Sequence, residues 1–142
     1  MEIVGIGTDI VECPRIGGMI QRHGELFLRR IYTEREIRHC QSRRHAIEHF
    51  AARWAAKEAV FQALGTGPAE GVSWTDLEIR VGPRGTLKVM VAGAAKQVVR
   101  KRGVGQVLVS MAHCRTYATA YAMAIARPAP GTPSPPPPPP EA

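Results

Sequence analysis

Two acidic side chains stand where hydrocarbon is expected. Asp9 interrupts Ile3-Val4-Gly5-Ile6-Gly7-Thr8-Asp9-Ile10-Val11, a run whose other members are nearly all apolar or glycine, and aspartate is a poor strand former. Glu58 lies in Ala46–Leu64, a segment without glycine or proline in which eight residues are alanine or leucine. At about 100° per residue, Ile47, Ala51, Trp54, Glu58, Phe61 and Gly65 fall within roughly 40° of one meridian, so Glu58 breaks an apolar stripe at its middle. A carboxylate withdrawn from water must be neutral, ion-paired or metal-bound. Two ionised carboxylates cannot neutralise each other; if they converge, a divalent cation satisfies both, and all-oxygen ligation favours magnesium, manganese or calcium over zinc. Magnesium takes only one or two carboxylates and fills its octahedron with water and phosphate oxygens, which would require a phosphate-bearing substrate. The alternative is structural, with Asp9 and Glu58 each paired to Arg53, Lys57 or His113.

Further groups could serve an anion. Arg53 and Lys57 are four residues apart on one helix flank, so both could point at a phosphate that bridges to the metal. Gly65-Thr66-Gly67 leaves backbone N–H groups unshielded by side chains and could hold a phosphate as an anion nest, or serve only to end the helix. His113 falls where a strand meets a loop, either as a functional group or as a hydrogen-bonded structural one. Cys13, Cys40 and Cys114 are odd in number and lack any CxxC spacing, so reduced thiols are expected and Cys114 is assigned no role.

Strand and helix signals along the chain carry these groups. Glu2–Val11 is a strand, with Val4, Ile6 and Ile10 on one face and Ile3, Gly5, Gly7 and Asp9 on the other. A basic helix runs from Pro14 to His23 and breaks at Gly24. A short helix starts near Thr33, where Thr33 and Glu36 have capping-box spacing, and ends before Ser42. Ala46–Leu64 is the strongest helix, stopped by Gly65. Leu77–Val81 and Thr86–Val91 read as a hairpin, Ala92–Lys101 as a helix, and Val107–Met111 with Tyr117–Ile125 as a final strand pair. The last strand places Ala118, Ala120, Ala122 and Ala124 on one face, which lets another layer approach closely. The order lacks regular βαβ alternation, which predicts an α+β fold with a mostly antiparallel sheet packed against the long helix.

Composition narrows the function classes. The chain has 142 residues and a formal charge of +7, with fifteen arginines against four lysines, many of them between Arg15 and Arg44. Such a stretch attracts polyanions: nucleic acid, phosphorylated cofactors or an acidic protein. Aromatic content of 6% and the lack of any recognisable DNA- or RNA-reading motif argue against a basic nucleic-acid-binding module, which stands as the alternative reading. No apolar run approaches the roughly 20 residues of a membrane span, and Met1-Glu2-Ile3 lacks the basic start of a secretory signal, so a soluble cytoplasmic protein is expected. Nine of the twelve prolines follow Arg127. Residues 1–126 are therefore expected to form the domain and 127–142 a disordered proline-rich tail.

Gly5-Ile6-Gly7-Thr8-Asp9-Ile10-Val11-Glu12, Arg53-Trp54-Ala55-Ala56-Lys57-Glu58-Ala59 running on to Ala63-Leu64-Gly65-Thr66-Gly67, and Val109-Ser110-Met111-Ala112-His113 together resemble the holo-acyl-carrier-protein synthases, small bacterial 4′-phosphopantetheinyl transferases. The likeness extends from the first strand to about Ala126. It implies transfer of the 4′-phosphopantetheine arm of coenzyme A to a serine of apo acyl carrier protein, release of adenosine 3′,5′-bisphosphate, dependence on magnesium, and a homotrimer with active sites at subunit interfaces. It implies Asp9 and Glu58 as magnesium ligands and Arg53, Lys57, Gly65, Thr66 and His113 at the coenzyme A site. Lys57 could add positive charge to the phosphoryl transfer, and the base is Glu58, a metal-associated water or His113. Acyl carrier proteins are acidic, so Arg15, Met19, Arg22, His23 and Arg29 are expected to form the docking surface, with Met19 and Phe27 as apolar contacts. Gln62 stands where members often carry lysine, and Ala112 replaces a common hydroxyl residue. A catalytically dead relative that folds and trimerises is a third reading.

Overall fold

The computed structural model describes residues 1–131, 133 and 135–141. Its elements are β1 (Ile3–Glu12), α1 (Cys13–His23), α2 (Glu25–Ile31), α3 (Glu34–Gln41), α4 (Ala46–Leu64), β2 (Leu77–Val81), β3 (Leu87–Val91), α5 (Gly93–Lys101), β4 (Val104–His113) and β5 (Tyr117–Ala126). The fold is α+β. An antiparallel sheet in the order β1-β5-β4 carries α4 on one face, and β2 and β3 form a separate antiparallel hairpin.

Small residues set how the layers meet. Register pairs Gly5 with Ala124, Gly7 with Ala122, Asp9 with Ala120 and Val11 with Ala118, so these residues share one sheet face. The four alanines of β5 on that face are at most 3% exposed. A Cβ on Gly5 would run into the Ala63 carbonyl, and one on Gly7 into the Ala59 carbonyl, with Gln62 Cβ at 3.0 Å. The strand face that carries Gly5 and Gly7 is therefore the one that receives α4, while Ile6 and Ile10 on the other face stay 69% and 67% exposed.

The helix α4 is buried nearly all round, by the sheet on one side and by α1, α3 and β2 on others. This corrects the apolar stripe expected through Glu58. That stripe holds the more open positions of α4: Ile47 and Gly65 are exposed and Trp54 and Glu58 half-buried, with only Ala51 and Phe61 of it buried, while Ala52, Ala55, Ala56, Ala59, Val60 and Leu64 are fully enclosed. Alanine carries too weak a periodic signal to show which side of a helix faces the core.

Two other differences are local. Gly24, at φ +54°, ends α1, but Glu25–Ile31 resumes as the two-turn helix α2, which buries Phe27, Leu28 and Ile31. Strand β4 begins at Val104, three residues before the expected start, with a register irregularity at Gly105. The capping box at α3 is formed: Glu36 N–H donates to Thr33 Oγ1 at 3.3 Å, and Thr33 N–H to Glu36 Oε1 at 2.9 Å. Beyond Ala126 the described residues form no helix or strand and are exposed; residues 132, 134 and 142 of the expected tail lie outside the described residues. Among the described residues no helix is long and apolar enough to cross a membrane.

Candidate active site

Close packing of β1 on α4 brings the two acids together. The strand and the helix run antiparallel, Gly5 against Ala63 and Gly7 against Ala59. Two further strand residues advance about 6.6 Å, or roughly four helical residues, which sets Asp9 level with Ala55. Helical side chains lean toward the N-terminus, so Glu58 reaches back over that same turn. Both carboxyls are half-buried. Burial pushes Asp9 above its ordinary value, against its backbone hydrogen bond at Ile10 and the charge of Arg15. Burial, and then the Asp9 charge, push Glu58 up, and Arg15 again opposes this. No ion pair among the described residues includes either acid. The structural alternative, pairing to Arg53, Lys57 or His113, is not what the chain does.

Lys57 needs a correction. Its Nζ donates to Glu36 Oε1 at 2.7 Å, the Ile31 carbonyl at 2.7 Å and the Trp74 carbonyl at 3.2 Å, with both charged side chains 0% exposed. An ammonium has three donors, and all three are engaged. It ties α4 to α2, α3 and the turn that leads into β2 and does not face an open anion site. Sequence reading saw Glu36 only as a capping residue. The same side chain also accepts from Ile79 N–H at 2.8 Å through Oε2. Arg53 is likewise inside, 1% exposed, with Nη1 on the His49 carbonyl at 3.4 Å and Nε without a partner. It does not share an open flank with Lys57.

His113 belongs to a different neighbourhood. Met111 is level with Asp9 through Ala120, so two strand spacings and two residues put His113 about 12 Å from Asp9, Cα to Cα. Its Nδ1 is 3.8 Å from Glu48 Oε1, and its ring meets His49 edge-on at 4.9 Å. Burial, then the charge of His113, lowers His49 from its ordinary value. Glu48 and His49 were not singled out from sequence; their position two and a half to three turns before Glu58 places this cluster at the other end of α4.

At the C-terminal end of α4, Gly65 adopts φ +69°, ψ +33°. Its N–H donates to the Gln62 carbonyl at 3.1 Å, and Thr66 N–H to the Phe61 carbonyl at 3.1 Å. These donors close the helix, so the anion-nest expectation fails for both: the left-handed cap turns them inward. What remains is a cavity of about 220 Å³ lined by Glu58, Phe61, Gln62, Gly65, Thr66, Gly67, Pro68 and Glu70. Glu58 therefore borders both the Asp9 cluster and this cavity. Gln62 Oε1 accepts from Thr8 N–H at 3.2 Å and fastens β1 to α4 beside it.

Arg15, Arg22 and His23 on α1 and Arg29 on α2 are exposed, and Met19 is half-buried. Arg22 Nη2 lies 3.3 Å from Met19 Sδ, and Arg29 pairs among the described residues with Glu25, 3.8 Å away, both exposed. Phe27 is not a surface contact: it is 6% exposed and stacks on Trp54. The exposed apolar residue beside these cations is Leu26, at 83%. Arg15 joins this basic face to the two acids, whose proton affinities it lowers.

Residues 5–126 match the sequence pattern of the 4′-phosphopantetheinyl transferase superfamily. The chain is 49% identical over 118 residues to a holo-[acyl-carrier-protein] synthase of Koribacter versatilis, covering 83% of this chain and 94% of that one. It resembles the crystal structure of the Neisseria meningitidis holo-[acyl-carrier-protein] synthase with a TM-score of 0.79 at 31% identity, covering 87% of this chain and 98% of that one. The holo-(acyl-carrier-protein) synthase of Bacillus anthracis, solved in complex with CoA (3′,5′-ADP), superposes with a TM-score of 0.72 at 32% identity, covering 88% and 98%.

Proposed function

The chain belongs to the 4′-phosphopantetheinyl transferase superfamily, and from that premise we propose that it moves the 4′-phosphopantetheine arm of coenzyme A onto a serine of apo acyl carrier protein, releasing adenosine 3′,5′-bisphosphate, in a magnesium-dependent reaction. The observation that carries the reading is the pairing of Asp9 with Glu58: two half-buried acids, each with its proton affinity raised by burial, without a salt-bridge partner, beside a cavity that reaches the Gly65–Gly67 turn.

The donor set suits magnesium. Two carboxylates leave most of the octahedron to water and phosphate oxygens, and among the described residues no third acid, histidine or cysteine joins them. A magnesium ion held by Asp9 and Glu58 would neutralise charge on the coenzyme A pyrophosphate. The chain's own part is positioning. The cavity beyond Glu58 seats the coenzyme, with Gly65 and Thr66 in its wall. The serine oxygen attacks the phosphorus bearing the pantetheine arm, and the bond to the nucleotide phosphate breaks. The serine proton passes to a base at this site, taken here to be a carboxylate oxygen of Glu58. Arg53 and Lys57 act from inside the fold, holding α4 in place.

The homotrimer is supported by the sheet face opposite α4. Ile6, Ile10, Leu108 and Tyr121 are 69%, 67%, 44% and 66% exposed there, a contiguous apolar surface of the kind that marks a protein interface. The ridge of Arg15, Met19, Arg22 and His23, with Arg29 and Leu26 beyond, takes the acidic carrier protein. Residues 1–126 form the catalytic domain, in a cytoplasmic enzyme of lipid metabolism.

Mass spectrometry of an apo acyl carrier protein incubated with the chain and coenzyme A tests the reading. A gain of one phosphopantetheine that requires magnesium is expected. An unmodified carrier protein, together with salt-dependent retention of the chain on immobilised DNA, would replace the enzyme with a nucleic-acid module.

A further inference from the structure

The cavity at the end of α4 poses an electrostatic problem for the ligand assigned to it. Its charged lining residues are Glu58, assigned above to the metal, and Glu70, which repels a phosphate. The N–H groups of Gly65 and Thr66 are committed to the helix cap, Gln62 is neutral and bonded to Thr8, and Lys57 is sealed in the core. A further cation must come from elsewhere: Arg102 is not part of the cavity lining but touches Gly65 in its wall. Arg102, at the end of α5, donates from Nη1 to the Leu64 carbonyl. Its guanidinium fills the space a side chain on Gly65 would take: a Cβ there would strike Nη1 and stand 3.2 Å from Cζ and 3.7 Å from Nη2. Arg102 is exposed, and among the described residues it has no ion-pair partner.

We propose that Arg102 is a coenzyme-binding residue, supplying the positive charge that holds a phosphate group of coenzyme A at the Gly65–Gly67 turn. The inference rests on the transferase reading and adds to it a residue from a separate helix. One N–H of the guanidinium meets Leu64; the other four are free, and a planar fork is suited to phosphate oxygens. The left-handed glycine is needed twice over, for its backbone angles and because the guanidinium occupies its side-chain space. Arg102 also complements the negative end of the α4 dipole, and the test must separate that role from ligand binding.

The full chain is compared with Arg102→Gln and Arg102→Lys. Three quantities are read: KM for coenzyme A, the Kd of adenosine 3′,5′-bisphosphate by calorimetry, and the Tm without ligand. Arg102→Gln is expected to raise KM for coenzyme A and the bisphosphate Kd about tenfold, the loss of one charged hydrogen bond, with KM for the carrier protein unmoved. Lysine should recover part of the loss. A lower Tm with unchanged KM and Kd would reduce Arg102 to a helix cap and overturn the inference. Should the glutamine variant not fold, Arg102→Met is read in its place, and an unchanged bisphosphate Kd there would overturn the inference equally, because methionine carries no charge. A wild-type chain that binds neither coenzyme A nor the bisphosphate would sink the transferase reading itself, an outcome distinct from a variant indistinguishable from a binding-competent wild type.

Discussion

Replacing Glu36 by glutamine should be among the most damaging single changes of one heavy atom in this fold. Glu36 is 1% exposed and Lys57 0%, and the carboxylate takes three donors: Lys57 Nζ at 2.7 Å, Thr33 N–H at 2.9 Å and Ile79 N–H at 2.8 Å. A glutamine keeps one acceptor oxygen and turns an NH₂ toward a donor, whichever way it flips. It also leaves the Lys57 ammonium buried with only carbonyl partners. Breaking a buried pair from one side costs about 3–5 kcal/mol, at least about a fifth of the roughly 5–15 kcal/mol that holds a typical domain. The pH dependence has a definite sign. Burial already holds Lys57 below its usual value, and the Glu36 charge opposes that shift. Without Glu36 the folded-state value falls further, so the unfolded chain binds more protons from that value up to the unfolded one, and stability rises with pH across that window. Urea unfolding of wild type, Glu36→Gln, Lys57→Met and the double variant at pH 7.5 and 9.5, at one protein concentration, measures this. The single variants should each lose several kcal/mol, the double variant much less than their sum, and Glu36→Gln should recover partly at the higher pH. A loss under about 1 kcal/mol, or strictly additive effects, would refute the reasoning.

Gly7→Ala puts a methyl group against the Ala59 carbonyl, with Ala59 C at 2.8 Å; overpacking against backbone should cost about 1–3 kcal/mol or more, read as a fall in Tm, and a neutral result would mean β1 and α4 are not in close contact. Arg22→Glu should raise KM for the carrier protein about fivefold to tenfold at low salt and leave KM for coenzyme A alone; unchanged kinetics would clear α1 of docking. Tyr121→Glu, a charge in the middle of the exposed sheet face, should convert the proposed trimer to monomers in light scattering, and a trimer that persists in the variant would place the interface elsewhere.

Most of the architecture could be read from local signals. Strict alternation through Tyr117–Ile125, the Thr33–Glu36 capping box and the glycine after Leu64 each state their own structure, and each is found in place. The acids could be read too, because an aspartate within a glycine-rich apolar strand contradicts its surroundings. What escaped was decided at long range. Lys57 looks like a surface cation until α3 is seen to bring Glu36 over it from 21 residues away. The interior position of Arg53 depends on the same packing. Gly65 reads as a helix stop, and nothing local announces that Arg102, 37 residues on, fills the space beside it. Which face of β1 meets α4 was ambiguous for a related reason: isoleucines normally mark the core side, but here glycine and alanine mark it, and the isoleucines are left for another surface.

Manganese binding provides the most direct measurement, since Mn²⁺ takes the same oxygen ligands as magnesium and is paramagnetic. Water-proton relaxation should show one ion bound per chain in the presence of coenzyme A, with its affinity reduced by more than about a hundredfold in Asp9→Asn and in Glu58→Gln alike. Binding that persists undiminished in either variant would show that the two carboxylates do not share an ion, and the proposed active site would have to be sought elsewhere.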